Sequence, residues 1–249
     1  MVKKNPVYMY YFSGTGNTRS LVYHFSNYLR KLGFNTEIRR MDRDVFEKPT
    51  VDFTLGLMFP VAIQSTFPIV WDFVLNLPPG EGREVFMFDT MEAFSGGVVG
   101  PMKKVLSDKG YHCIGAREFR MSSSINTKVK KINKGIEKNR MALSHVEEYA
   151  RDLVAGKTGW GRIPLISPMI KSLSDSEKIW QSNSEKLGIT DRCVKCLICL
   201  KNCPVGALRF SASGISIDHK WCISCMRCAA KCPQKAIVFG GKVLQLSSF

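Results

Sequence analysis

The stretch CVKCLICLKNCP, residues 193–204, returns 29 residues later as CISCMRCAAKCP, residues 222–233. Both copies read C-x2-C-x2-C-x3-C-P. The match continues past the prolines, laying Ala207 on Ala236, Leu208 on Ile237 and Phe210 on Phe239. One half-module used twice predicts a unit with pseudo-two-fold symmetry. Eight of the nine cysteines fall between Cys193 and Cys232, and Cys113 stands alone. No secretion signal is read ahead of them. The apolar run Val7–Phe12 meets Ser13-Gly14-Thr15-Gly16 and not a small-residue cleavage site. In such a context a dense cysteine cluster favours metal over disulfides.

Four thiolates also suit structural zinc, but zinc ribbons use pairs of C-x2-C. Tandem three-plus-one runs, each closed by proline, resemble instead the bacterial two-cluster ferredoxins. In that family three closely spaced thiolates hold one face of a cubane and the fourth cysteine reaches the other cluster. The resemblance implies two [4Fe–4S] clusters. The first takes Cys193, Cys196, Cys199 and Cys232; the second takes Cys222, Cys225, Cys228 and Cys203. Lys195, Lys201, Arg227 and Lys231 lie near these ligands and are expected to favour the reduced, more negative clusters. Oxygen-labile clusters also point to an anaerobic setting.

Upstream, apolar strand-like runs alternate with helical patterns. Val7–Phe12, Phe34–Arg39, Asp52–Phe59, Glu84–Thr90 and Tyr111–Met121 read as strands; Thr18–Leu32, Phe67–Leu77, Val98–Gly110 and Val129–Ala155 read as helices. This alternation predicts βαβ units around a five-stranded parallel sheet. Residues 1–156 are therefore expected as one α/β domain and 191–249 as a small α+β domain. Residues 157–190, rich in Gly, Ser and Pro, are expected to link or dock the two, with a short helix near Ser174–Lys186. Its apolar piece Ile163–Ile170 is expected to pack on one of the domains.

Ser13-Gly14-Thr15-Gly16-Asn17-Thr18 ends the first strand and opens the first helix. A Gly/Ser/Thr loop at that place offers amides, hydroxyls and a helix dipole to an anion. It is neither G-x-G-x-x-G nor a P-loop. It resembles the FMN phosphate loop of flavodoxins. That resemblance implies a doubly wound sheet of order 2-1-3-4-5 with FMN beyond the carboxyl ends of the strands. Ser13, Thr15, Asn17 and Thr18 would hold the phosphate, with Gly14 and Gly16 allowing close approach. The loops after strands three and four would cover the ring: Pro60, Val61, Ala62, Ile63 and Gln64 from one, and Thr90, Met91, Phe94, Ser95, Gly96 and Gly97 from the other. Phe59 is weighed as a ring contact or as core, and Gln64 as a partner of a ring heteroatom. The strand-three loop lacks the glycine common in flavodoxins. Only Asp89 and Glu92 put acids near the ring, which weakens repulsion of a reduced, anionic flavin.

The whole chain resembles the flavodoxin–ferredoxin fusion proteins of anaerobic bacteria and archaea. Where that family usually shows a proline after the fifth strand, this chain has Ser122-Ser123-Ser124. The resemblance implies an electron-transfer protein relaying electrons among two [4Fe–4S] clusters, FMN and external redox proteins. An FMN-dependent reductase of a small molecule is the first alternative, although His24, His112, His145 and His219 are scattered and suggest no acid–base set. A nucleic-acid binder is the second, prompted by the formal charge of +15. The basic residues are dispersed, and eight thiolates, two cluster cores and an FMN phosphate lower the holo-protein to about +9. No nucleic acid is therefore expected. The Lys128–Lys134 patch reads as a solvated helix face or a dock for acidic ferredoxin-like carriers or reductases. No stretch reaches the roughly 18 apolar residues of a membrane span, so a cytoplasmic protein is expected. A homodimer stays open as a way to bring flavin and clusters together. Cys113, beside Ile114 in the fifth strand, is expected to be a buried, inert thiol.

Overall fold

The computed structural model of the 249-residue chain describes residues 5–246, other than 45, 48, 50, 94–96, 126–127, 129–131 and 161–176. Five strands form a wholly parallel sheet: β1 (Val7–Tyr11), β2 (Thr36–Arg40), β3 (Thr54–Ala62), β5 (Glu84–Met91) and β6 (His112–Arg120). Their order is β2-β1-β3-β5-β6. Counted along the chain, these strands have the order 2-1-3-4-5 of the flavodoxin-like doubly wound fold. The remaining strand, β4 (Ser65–Thr66), folds back antiparallel on the end of β3.

Side-chain alternation explains why the first strand is apolar throughout. Tyr8, Tyr10 and Phe12 point into one core layer, and Val7, Met9 and Tyr11 into the other. A parallel strand covered on both faces has no polar side to show. Helices α1 (Asn17–Lys31) and α4 (Ile132–Val154) supply the second layer through Leu21, Val22, Phe25, Val146 and Tyr149. Helices α2 (Pro68–Leu75) and α3 (Val99–Asp108) supply the first through Val70, Trp71, Met102 and Leu106. Phe59 is fully buried in this first layer, so it is core and not a flavin contact. Cys113 is half-buried on the edge strand, where burial pushes its thiol upward.

The strand-three loop is a two-residue turn. Val61 pairs with Thr66 and Ala62 with Ser65, which leaves Ile63 and Gln64 to turn at φ of 51° and 61°. A two-residue hairpin of type I′ takes positive φ at both positions. β-branched Ile63 is a costly occupant, since that region suits glycine or asparagine. The missing glycine thus leaves left-handed backbone on ordinary residues, a strain that concentrates at functional sites.

The C-terminal unit comprises α5 (Glu177–Ser184), β7 (Leu187–Ile189), α6 (Ile198–Asn202), β8 (Leu208–Ser211), β9 (Gly214–Ile217), α7 (Arg227–Lys231), β10 (Ile237–Phe239) and β11 (Lys242–Val243). Its sheets are β11-β10-β7 and the hairpin β8-β9. The sequence repeat is also a backbone repeat. Lys195 and Ser224, Leu197 and Met226, and Gly206 and Lys235 all take positive φ, each pair 29 residues apart. Residues 184–189, inside the expected linking segment, join this unit: β7 pairs with β10 and the Ser184 hydroxyl donates to the His219 carbonyl at 3.0 Å, whereas Trp180 of α5 is buried in the first core layer of the N-terminal unit. The expected helix there is α5. The apolar piece Ile163–Ile170 lies outside the described residues.

Candidate cofactor site

Two cavities organise the predicted residues. The first, about 270 Å³, opens beyond the carboxyl ends of β1, β3 and β5. Ser13, Gly14, Thr15, Asn17 and Thr18 form one wall; Pro60, Val61, Ala62 and Ile63 form another; Thr90, Met91 and Glu92 form a third. Gly16, Gln64 and Gly97 do not line it. Gln64 is exposed, and its carbonyl accepts a hydrogen bond from the Gly97 amide at 2.6 Å. Its backbone therefore ties the two loops together. Phe94, Ser95 and Gly96 lie outside the described residues.

Local hydrogen bonds hold the phosphate-type loop in shape. The Gly16 amide donates to Ser13 Oγ at 3.2 Å, and Gly16 takes φ 116° just before α1. The Thr18 and Thr90 hydroxyls meet at 2.8 Å, joining the loop to β5. Thr15 Oγ1 contacts Ser124 Oγ at 2.7 Å, and Asn17 Nδ2 donates to the Ser122 carbonyl at 2.8 Å. Ser122, Ser123 and Ser124 thus close the cavity over the loop. They add three hydroxyls to the loop that follows β6. The donors fit an anion: hydroxyls and a helix N-terminus converge, and among the lining residues only Glu92 is a carboxylate.

Sequence reasoning missed the fourth wall. Trp180 and Asn183 of α5, with Ser224, Cys225, Met226 and Phe239, complete the cavity from the C-terminal unit. Trp180 lies against Phe67 with ring centroids 5.4 Å apart. Gly14 explains how the two units approach. A Cβ there would run into the Cys225 carbonyl oxygen, so only glycine admits this loop. Its place in the motif reads as room for phosphate, but in the folded chain that room is filled by a cysteine loop.

The contact is pinned by Arg227. Its guanidinium donates to the Ser13 carbonyl at 2.8 and 3.2 Å, pairs with Asp42 at 2.6 Å, and lies over the Phe12 ring. Both side chains are nearly inaccessible, at 5% and 2% exposure. Burial alone would raise the Asp42 carboxyl, but hydrogen bonds from Arg227 and Arg40 outweigh it and hold the group below the usual range. Arg227, expected as a cation tuning the clusters, is therefore committed to a carboxylate.

The second cavity is lined by Cys193, Cys196, Cys199 and Cys232, together with Ile189, Val194 and Ile215. The fourth cysteine of the second motif thus sits with the first three of the first. Cys203 conversely lies close enough to Cys222, Cys225 and Cys228 to repel their thiolates. All eight are free of disulfides. Burial pushes the Cys225 thiol up to about 12 and raises Cys228 further. Such a cage suits thiolates only if a cationic core compensates them. Among the described residues no three potential ligands converge on a single ion. Tetrahedral zinc at about 2.3 Å per sulfur would need that convergence, whereas a cubane takes sulfurs set around a larger body. The Ala207 amide donates to Cys203 Sγ at 3.2 Å and the Ala236 amide to Cys232 Sγ at 3.3 Å, a symmetric pair of N–H···S bonds.

Residues 177–237 match the family model described as the 4Fe-4S dicluster domain. The C-terminal segment is an iron–sulfur module. Its match begins at α5, in accord with the pairing of β7 and β10. No curated protein matches the chain. Solved structures similar to the N-terminal part include the two-electron reduced flavodoxin of Megasphaera elsdenii, 21% identical, covering 58% of this chain and 98% of that one, TM-score 0.43. A flavodoxin of Streptococcus pneumoniae is 15% identical, covering 60% and 98%, TM-score 0.43. A point mutant of the Fusobacterium nucleatum flavodoxin bound to flavin mononucleotide is 13% identical, covering 61% and 96%, TM-score 0.45. Among the described residues no helix is long and apolar enough to cross a membrane.

One buried group stands apart from both cavities. Asp89 is wholly inaccessible, and neither carboxylate oxygen has a hydrogen-bond partner. Burial, with Glu118 facing it across the β5–β6 register, raises its carboxyl well above the usual range. A raised folded value means that the folded chain keeps a proton the unfolded chain releases. Stability is then lost as pH climbs from about 3.9, the unfolded value, toward the raised one. Asp89→Asn removes that titration. It should raise the thermal midpoint at pH 8 by several degrees, at about 2–4 °C per kcal/mol, with a gain that shrinks toward pH 5. A gain of equal size at both pH values, read by scanning calorimetry, would contradict this account.

Proposed function

We propose that the chain is an electron-transfer flavo-iron–sulfur protein that passes electrons among two [4Fe–4S] clusters, FMN and external redox proteins. Residues 1–156 are read as the FMN unit, 157–190 as linking and docking chain, and 191–249 as the cluster unit, with β7 paired into the last and α5 docked between the two. One observation carries the reading. A single cavity is walled both by the phosphate-type loop and by Ser224, Cys225 and Met226 of the second cysteine motif. FMN bound there would exchange one or two electrons, linking one-electron clusters to two-electron partners. Ser13, Thr15, Asn17 and the Ser122–Ser124 loop would hold its phosphate. Trp180, Phe67 and Met226 would bury its apolar surface and exclude water. Cys225 would ligate the second cluster from the cavity wall, which supports transfer inside one chain without a dimer.

The lining offers one carboxylate and no histidine, which favours electron carriage over acid–base turnover of a small molecule. The test is stopped-flow reduction of anaerobically purified protein, followed at flavin and cluster absorbance. Equilibration between the cofactors should proceed at a rate independent of protein concentration. Zinc in place of iron, or a rate that rises with concentration, would overturn the reading.

A further inference from the structure

The two halves of the cluster module share one backbone but meet different surroundings. In the second half, Ile223 is 8% exposed in the core of the N-terminal unit, and Ser224 and Cys225 line the flavin-type cavity. The 29-residue shift maps them onto Val194, Lys195 and Cys196. Those residues are all exposed, Val194 to 62%. Lys195 and Ser224 share positive φ, as do Leu197 and Met226, so the two loops have the same shape. The surface that brings one cluster to the cavity wall thus has an exposed twin over the other cluster.

Its neighbours give the twin the make-up of an interface, with an apolar centre and a charged rim. Phe210 is 53% exposed and pairs across the hairpin with Ile215, which lines the cavity of Cys193, Cys196, Cys199 and Cys232. Paired residues share a face of the ladder, so Phe210 and Val194 flank the same cluster. Arg192 donates to the Lys235 carbonyl at 3.0 Å, setting two exposed cations beside each other. Lys195 puts a third where the buried copy has uncharged Ser224.

We propose that this face, centred on Val194–Cys196, is the docking port of an acidic one-electron carrier protein. The proposal rests on the cluster part of the reading above and does not need FMN. One electron passes from the reduced metal centre of the carrier to the cluster of Cys193, Cys196, Cys199 and Cys232. The carrier is oxidised by one electron and the cluster reduced by one, with no proton or bond exchanged. A second copy of this chain is a poor occupant, because the holo-protein's net positive charge of about +9 repels its like.

Fluorescence anisotropy of a labelled acidic [2Fe–2S] ferredoxin, titrated with the cluster-loaded protein at low ionic strength, reads the docking. Arg192→Glu, Lys195→Glu and Lys235→Glu together should weaken binding about tenfold or more and abolish its salt dependence. Phe210→Asp, away from the ligand loop, should weaken it comparably. Lys134→Glu with Lys138→Glu on α4 should leave it unchanged. Iron analysis confirms that each variant keeps both clusters. The proposal is overturned by absent binding, by an unaffected triple variant, by equal weakening from the α4 variant, or by self-association that hides Val194. Flavin-free protein should bind as well as flavin-loaded protein, so a failure of the FMN reading leaves this result separate.

Discussion

Arg227→Ala is expected to loosen the seam between the two units and to destabilise the folded chain by about 3 kcal/mol. Removing one partner of a buried ion pair typically costs about 3–5 kcal/mol, because the other charge stays desolvated. Here Arg40 still contacts Asp42 at 2.6 Å, which places the loss at the lower end. The variant also leaves the Ser13 carbonyl without two donors and strips a cation from the Phe12 ring. Since Ser13 opens the phosphate-type loop, the damage reaches the cavity as well as the seam. Scanning calorimetry should show a lower midpoint, and added FMN should dissociate more readily. Arg227→Lys keeps the charge but loses the planar fork that serves Asp42 and Ser13 together, so it should recover less than half of the loss. Full recovery by lysine would reduce the contact to simple charge.

The same pair sets an acid limit. The folded Asp42 carboxyl lies below its unfolded value, because donors from two arginines outweigh its burial. A depressed carboxyl contributes stability above the unfolded value, about 3.9, and that contribution fades as pH falls through the folded one. The seam should therefore hold across neutral pH and weaken under acid, and Arg227→Ala should flatten that dependence.

Much of this was legible in the sequence. The apolar runs gave the five parallel strands because a doubly covered sheet leaves no polar face to confuse the pattern. The cysteine spacing carried the resemblance to two-cluster ferredoxins, and that resemblance, not the spacing itself, implied the crossed grouping that places Cys232 with Cys193, Cys196 and Cys199. The seam left no such trace. Arg227 reads as one more basic residue beside a cysteine, and nothing near it in sequence announces Asp42, 185 positions away. Trp180 and Asn183 lie in a segment whose composition suggests a linker, and their role depends on which unit captures it. Gly14 was legible as a glycine of close approach, but what approaches it is set by tertiary packing. Ile63 and Gln64 show the converse: their composition argues against a tight turn, and the register of β3 with β4 imposes one.

Cys203→Ala separates the crossed ligand sets most sharply. By position Cys203 belongs to the first motif, yet it lies with Cys222, Cys225 and Cys228. If it is their fourth ligand, its loss removes the cluster at the cavity wall and spares the exposed one. Iron should fall from about eight to about four atoms per chain. Cys232→Ala should remove the same amount of iron from the other site. The two variants then differ in the flavin. Ser224 and Met226 line the cavity in left-handed backbone at φ of 52° and 60°, a conformation that persists only when its surroundings impose it. Without the cluster that Cys225 would ligate, the loop can relax and Ser224–Met226 withdraw from the cavity. Cys203→Ala should therefore weaken FMN binding about tenfold or more, an equilibrium change of about 1.4 kcal/mol, while Cys232→Ala changes it little. Flavin fluorescence quenching on titration gives the affinity without any turnover. Equal flavin affinity in both variants would mean that the cavity wall stands without its cluster.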